Sequence, residues 1–266
     1  MGNDADEIRN WWSTSIIDMS PGKISFRGNE IENLIGNISF PQMIWMMVRG
    51  GLPTNEEASL FEAALVAGVD HGPQAPSIAA ARMAATCGVG INNAMATGIN
   101  MLGDIHGGAG EQCAELFYEI SLRIDNGATF EKAIQEALRE WESGNGKIIS
   151  GFGHRFHKPI DPRAPRLLEL VRLAAKDNIV SGKYADIAEA IQSHLSIKKD
   201  IAMNIDGATA VIFCELGFPA PLSRGLFCLS RSVGILSHAW EQIEQGGRNK
   251  GPMPPKYLPK YILKNT

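Results

Sequence analysis

From about residue 40 onward, apolar residues return every three or four positions, the spacing that gathers them on one face of an α-helix. This period predicts helices over residues 40–50, 55–68, 75–87, 91–103, 107–126, 129–143, 163–176, 183–195, 205–217 and 221–245. The second of these is announced by Pro53-Thr54-Asn55-Glu56-Glu57, a capping residue followed by acids where the helix dipole favours them. Between residues 10 and 28 the pattern changes: SIIDM and KISFRG flank Ser20-Pro21-Gly22 and read as a small hairpin. PSIAAARMAAT and NNAMATGIN place Ala, Gly and Ser on the apolar face, which lets helix axes approach closely and predicts tightly packed, shared helices. From Gly251, a proline-containing stretch reads as an extended tail over the surface or over a neighbouring copy. The expected fold class is therefore all-α, a multi-helical protein with a short N-terminal β-hairpin. The polar stretch from Gly144 to Pro162 is the expected hinge between a large helical domain, residues 1–148 and 236–266, and a small helical cap, residues 149–235.

Composition narrows the partners. A chain of 266 residues can bury a full core, and its formal net charge of −4 comes without a basic stripe, which argues against nucleic acid or a membrane surface. No apolar run approaches the roughly 18 residues of a membrane span, and MGNDADEIRNWW lacks the apolar core of a signal peptide. Cys87, Cys113, Cys214 and Cys228 lie far apart with no CxxC pair, and read as buried thiols in a reducing cytoplasm.

Three polar sites interrupt the apolar pattern. ISGFGHRFHKPIDPR, residues 149–163, sets His154 in a glycine-flanked bend with Gly151 and Gly153, followed by Arg155, His157, Lys158 and Arg163. Glycines allow backbone N–H groups close to a ligand and cations suit carboxylate or phosphate, so the segment reads as a site for a small anion. A cation is also unfavourable where Arg163 stands, at a helix start, unless an anion joins it. His106 in GDIHGGAGEQ precedes a helix N-terminus, which would hold the imidazole neutral; it reads as a turn residue or as a donor to a carbonyl oxygen. Asp206 in IAMNIDGATAVIF opens a very apolar helix, and reads either as its N-cap or as a carboxylate of raised pKa able to take a proton from a weak carbon acid. HRFH has no third ligand at a convincing spacing, so no metal is expected, and GGAG and GVG neither follow a strand nor form GxxxxGK.

Taken together and in order, HGGAGE, GFGHRFHKPIDPR, NIDGATAVIF and SRSVGILSH resemble the citrate synthase superfamily, as do ISFRGNEIENL, IWMMVRGGLPTNEE and VDHG in the N-terminal half. The resemblance covers nearly the whole chain and implies a citrate synthase-like fold acting on coenzyme A thioesters, with no metal or redox cofactor. It implies that His106 binds the thioester carbonyl, that His154 binds the carbonyl or hydroxyl oxygen of the acid, and that Asp206 moves the proton at the methyl carbon. It further implies that Arg163 and Arg231 hold substrate carboxylates, that His71 lines the same pocket, and that Lys158 meets a coenzyme A phosphate, with Arg155, Gly151 and Gly153 beside it. The chain is most similar to the compact citryl-CoA lyase branch, also found as the terminal module of ATP-citrate lyase, and SRSVGILSHAWEQ carries that likeness. Two departures stand out. The ATP-dependent module commonly lacks a histidine at the position of His106, and synthases usually place an arginine before a proline where this chain has Gly251-Pro252, leaving Arg248 or Lys250 as substitutes. The implied activity is cleavage of citryl-CoA to oxaloacetate and acetyl-CoA; the alternatives are condensation of a short acyl-CoA with a 2-oxo acid, and a noncatalytic subunit on the same fold. The implied partners are an acyl-CoA, a di- or tricarboxylic acid, a second copy in a homodimer or higher homo-oligomer, and a separate citryl-CoA synthetase.

Overall fold

The first helix, α1 (Gly2–Trp11), leads into three short strands, β1 (Ile17–Ser20), β2 (Lys23–Phe26) and β3 (Asn29–Glu30), then α2 (Ile31–Leu34), α3 (Phe40–Arg49) and α4 (Asn55–Gly68). This computed structural model describes residues 2–197 and 201–263, with side chains from residue 7 onward. The chain divides into two compact units within α4, Met1–Glu62 and Ala63–Thr266.

In the first unit, β1 and β2 pair antiparallel with Ser20 opposite Lys23, so Pro21-Gly22 is the two-residue loop of the expected hairpin. β3 adds to β2 and makes the sheet three-stranded, an element too short for alternation to reveal. α1 and α2 are likewise additions to the sequence reading; α2 is a single turn, and α1 carries no amphipathic stripe long enough to stand out from its polar residues. α3 opens with a capping box in which Ser39 Oγ accepts from the Gln42 N–H at 3.4 Å and Gln42 Oε1 accepts from the Ser39 N–H at 2.8 Å. α4 opens the same way through Thr54 and Glu57, as its start signal predicts. Trp45 and Phe61 meet edge to face, ring centroids 5.6 Å apart, with Leu34 and Met46 also buried.

The second unit continues with α5 (Pro76–Thr86), α6 (Ile91–Asn100), α7 (Ala109–Asp125), α8 (Phe130–Asn145), α9 (Arg163–Lys176), α10 (Lys183–Ser196), α11 (Ile205–Glu215) and α12 (Ala220–Gln245). These follow the predicted periods closely. α5, α6 and α12 pack around Ala75, Ile78, Ala81, Ala94, Ile235 and Ala239, where small side chains let the helices close as the Ala/Gly pattern suggests. α11 lies at the centre against α7, α9 and α10. Every residue from Gly207 to Cys214 is buried, so this helix has no solvent face, and any polar group on it sits among apolar neighbours. After α12 the described chain runs without helix or strand and exposed; Asn249 N–H to Thr86 O (2.8 Å) and Lys250 N–H to Thr86 Oγ1 (3.0 Å) fix its start to the end of α5.

Two expectations need correction or comment. Cys113 and Cys214 are buried as expected, but Cys87, the C-cap that follows the last turn of α5, is exposed and Cys228 is only half-buried on α12. Among the described residues, no helix is long and apolar enough to cross a membrane.

Candidate active site

The bend carrying His154 is joined to the start of α11 by backbone. Gly153 N–H donates to Ala202 O at 2.7 Å, Asn204 N–H donates to Gly151 O at 3.0 Å, and Phe152 bridges antiparallel to Met203. Asn204 Nδ2 adds a 2.6 Å bond to Gly153 O, while its Oδ1 accepts from the Asp206 and Gly207 N–H groups. Asn204 is therefore the N-cap of α11, which corrects the capping option for Asp206 and leaves that carboxylate outside the cap. The seam needs glycine on both sides. Gly151 has φ +87, and a Cβ there would meet Cys113 Sγ at 2.5 Å and Gly207 Cα at 2.9 Å; a Cβ on Gly207 would lie 2.4 Å from Gly151 O.

Within the bend, His154 Nδ1 accepts backbone N–H groups from Phe156 (3.1 Å) and His157 (3.0 Å). Two donors on Nδ1 leave the proton of the neutral ring on Nε2, so Nε2–H is what His154 offers a ligand. Burial lowers its pKa, and His157 and Arg163 lower it further against the opposing pull of Asp161. The His71 ring stands 5.3 Å from that of His154, and the His157 ring 4.5 Å. His71 is also held below the ordinary histidine range, first by burial, then by Arg231, His154, Arg163 and His157.

His106 sits in the loop between α6 and α7, shaped by the Gly103 N–H to His106 O bond of 2.8 Å. Its Nε2 takes the N–H of buried Ser77 at 3.2 Å and lies 3.0 Å from Ser77 Oγ. A backbone donor on Nε2 places the ring proton on Nδ1, the opposite arrangement to His154. The sequence attributes its neutrality to a helix N-terminus; the structure gives other causes, burial first and Arg231 second, both lowering its pKa. α7 begins beside α11, and a Cβ on Gly110 would approach Asp206 O at 3.8 Å, so the His106 loop and the Asp206 turn share one neighbourhood.

Asp206 is half-buried, and among the described residues no hydrogen bond or ion pair engages its carboxylate. Burial raises its pKa, opposed by Arg231 and Arg163 and reinforced by Asp161. Arg231 is 5% exposed; its Nε donates to Gly68 O at 3.0 Å and its guanidinium lies 4.9 Å from the Phe227 ring centroid. No carboxylate forms a salt bridge with it among the described residues, and burial lowers its pKa despite the attraction of Asp206 and Asp70. It is the common electrostatic neighbour of His71, His106 and Asp206.

Arg163 behaves differently. Its Nε and Nη2 each donate to Asp161 at 2.9 Å, and Asp161 is 2% exposed and also accepts the Ile205 N–H at 3.1 Å. Burial alone would raise the Asp161 pKa, but these donors hold it below the ordinary range. The anion that the sequence requires beside Arg163 is thus supplied by its own chain, and the fork is already occupied. Lys158 and Arg155 are exposed and line a cleft of about 1030 Å³ with Gly151, Gly153 and His154. A neighbouring cavity of about 400 Å³ is lined by His71, Phe156, His157 and Arg163. Arg248 and Lys250 line neither.

Ser77, Asn204 and Asp161 were not singled out by sequence reasoning. Asn204 was visible as a capping residue two positions before Asp206, whereas the role of Ser77 depends on a partner 29 positions away and leaves no local signal.

A family model described as "Citrate synthase, C-terminal domain" matches residues 53–253. The chain belongs to the citrate synthase family. Citryl-CoA lyase from Hydrogenobacter thermophilus superposes with a TM-score of 0.83 at 30% identity, covering 97% of this chain and 96% of that one. A ternary complex of Thermoplasma acidophilum citrate synthase with carboxymethyl coenzyme A and oxaloacetate gives a TM-score of 0.67 at 26% identity, covering 86% of this chain and 59% of that one. Citrate synthase of Saccharolobus solfataricus is 31% identical over 79% of this chain and 54% of its own length. The chain spans about half the length of the curated relatives it matches.

Proposed function

We propose that this chain cleaves citryl-CoA, or a close 3-hydroxyacyl-CoA, to oxaloacetate and acetyl-CoA. The observation that carries the reading is the opposed tautomers of His106 and His154 beside a carboxylate whose pKa burial raises. A retro-aldol step needs a donor at each of two oxygens and a proton source at carbon. The hydroxyl of the substrate passes its proton to a solvent water, and His154 Nε2–H stabilises the alkoxide. Collapse breaks the carbon–carbon bond, releases oxaloacetate, and leaves an acetyl-CoA enolate whose oxygen accepts from His106 Nδ1–H. Protonated Asp206 gives its proton to the enolate carbon; the proton lost from the hydroxyl balances the one Asp206 gives up. Arg231, buried and without a carboxylate partner, receives a carboxylate of the acid, with His71 and the free Nη1 side of Arg163 next to it. Lys158 and Arg155 meet coenzyme A phosphate across Gly151 and Gly153. The close superposition on the citryl-CoA lyase, at a TM-score of 0.83, supports cleavage over condensation.

The synthase reading is favoured by the names of the sequence relatives, and the same three residues serve it in reverse. Purified protein given citryl-CoA, and separately oxaloacetate plus acetyl-CoA, distinguishes the two. Rapid oxaloacetate release without net thioester hydrolysis is expected; stoichiometric free thiol from the second mixture would overturn the lyase. Absence of both activities would point to a noncatalytic subunit. In the same reading residues 149–235 act as a cap, the protein works in the cytoplasm as a homodimer or larger homo-oligomer, and a separate synthetase supplies citryl-CoA.

A further inference from the structure

The proposed roles of His71, His106, His154 and the arginines leave the His157 side chain unassigned. Its backbone N–H is spent on His154 Nδ1, while its imidazole makes no hydrogen bond among the described residues. The side chain lines two cavities: the 400 Å³ one with His71 and Arg163, and one of about 300 Å³ with His154, Lys158 and Asp161. Among the described residues no group of His, Cys, Asp or Glu side chains is placed to hold a metal ion. Of the nearby carboxylates, Asp161 lines the 300 Å³ cavity and Asp70 the 400 Å³ one, and both already have partners of their own. Asp161 is consumed by the Arg163 fork and the Ile205 N–H, and Asp70 lies 3.2 Å from His238 Nε2 and accepts the Gly72 N–H. Among the described residues His71, His154, His157 and the buried Arg231 form no ion pair, Asp206 attracting Arg231 without a hydrogen bond to it, and the pKa values of His71 and His154 are lowered first by burial and then by repulsion from neighbouring cationic groups. A ligand bearing more than one carboxylate would relieve it, yet Arg163 has only one edge left to give. We infer that His157 is an acid-recognition residue whose imidazole donates to a substrate carboxylate in the cavity it shares with His71 and Arg163. It thereby takes up carboxylate binding that the Arg163 fork cannot provide.

This inference rests on the acid-plus-thioester reading above, and direct binding separates the two. Oxaloacetate alone and coenzyme A alone are titrated calorimetrically into the full chain and into His157→Phe, which keeps a ring but no donor, and His157→Gln, which keeps a donor. Loss of one hydrogen bond to a charged group predicts oxaloacetate affinity about 10-fold or more weaker in the phenylalanine variant. The glutamine variant is expected to recover part of that loss, and coenzyme A affinity to stay within about 2-fold in both. Melting curves of both variants check folding; should phenylalanine unfold the chain, the glutamine variant against wild type decides. Unchanged oxaloacetate affinity in His157→Phe sinks the inference alone, as does a loss that falls on coenzyme A and so assigns His157 to phosphate. Wild-type protein that binds no oxaloacetate sinks the functional reading together with it.

Discussion

The loop before α7 and the bend before α9 each deliver a neutral imidazole, but by opposite nitrogens. His106 gives its Nε2 lone pair to the Ser77 backbone and keeps Nδ1–H; His154 gives Nδ1 to two backbone N–H groups of its own bend and keeps Nε2–H. One donor comes from a distant helix and the other two from the next turn of chain. The lesson is that tautomer, and hence which edge of a histidine meets the ligand, is set by main chain rather than by a carboxylate partner.

The largest effect is expected where neither histidine can compensate. Asp206→Asn should lower kcat by about 10²–10⁴-fold with acyl-CoA binding retained, measured by oxaloacetate release; wild-type turnover would show that the two donors act without a carboxylate. Next come isosteric substitutions that test the opposed tautomers. An asparagine amide overlies Nδ1 and a glutamine amide overlies Nε2, so His106→Asn should exceed His106→Gln by about 10-fold, and His154→Gln should exceed His154→Asn by a similar factor. The reverse order at either site would refute the assignment there. A pH profile sharpens the same picture. Because burial raises the Asp206 pKa and the proposed cleavage uses its protonated form, the cleavage rate should fall as pH rises through a value above the ordinary aspartate one, whereas condensation should rise through it. A cleavage rate that climbs instead would assign Asp206 to proton abstraction. Asn204→Ala removes a cap and a seam bond and should cost about 1–2 kcal/mol in denaturant unfolding. Smallest is Ser77→Ala, which keeps the backbone N–H on His106; kcat within about 3-fold is expected, and a loss comparable to His106→Gln would move the tautomer control to the hydroxyl.

Periodicity made most of α3 to α12 legible because those helices bury one face, α11 instead stood out as a continuous apolar run, and α4 was further marked by Thr54 and Glu57. β3 and α2 are too short to carry a period, and the polar start of α1 masked its helix. Of the site, His106, His154 and Asp206 were readable as polar breaks in apolar surroundings. Their settings were not. Ser77 sits inside an alanine-rich helix start where a serine is unremarked, and the occupation of Arg163 by Asp161 depends on a rotamer, since Asp-Pro-Arg reads equally well with the arginine free. The cause of the neutral state of His106 was also out of reach, because Arg231 lies far along the chain.

The glycine seam has a consequence for measurement. Cys113 lies beneath Gly151, fully buried, with burial raising its thiol pKa far above the ordinary range. Burial that both disfavours the thiolate and blocks access should make this sulfur react slowly with alkylating reagents while the bend is packed on α11. With exposed Cys87 and half-buried Cys228 replaced by serine, and Cys214, also buried, kept as a control within α11, the labelling rate of Cys113 becomes a clock for opening of the His154 bend. Any ligand that bridges the bend and α11 should slow that clock.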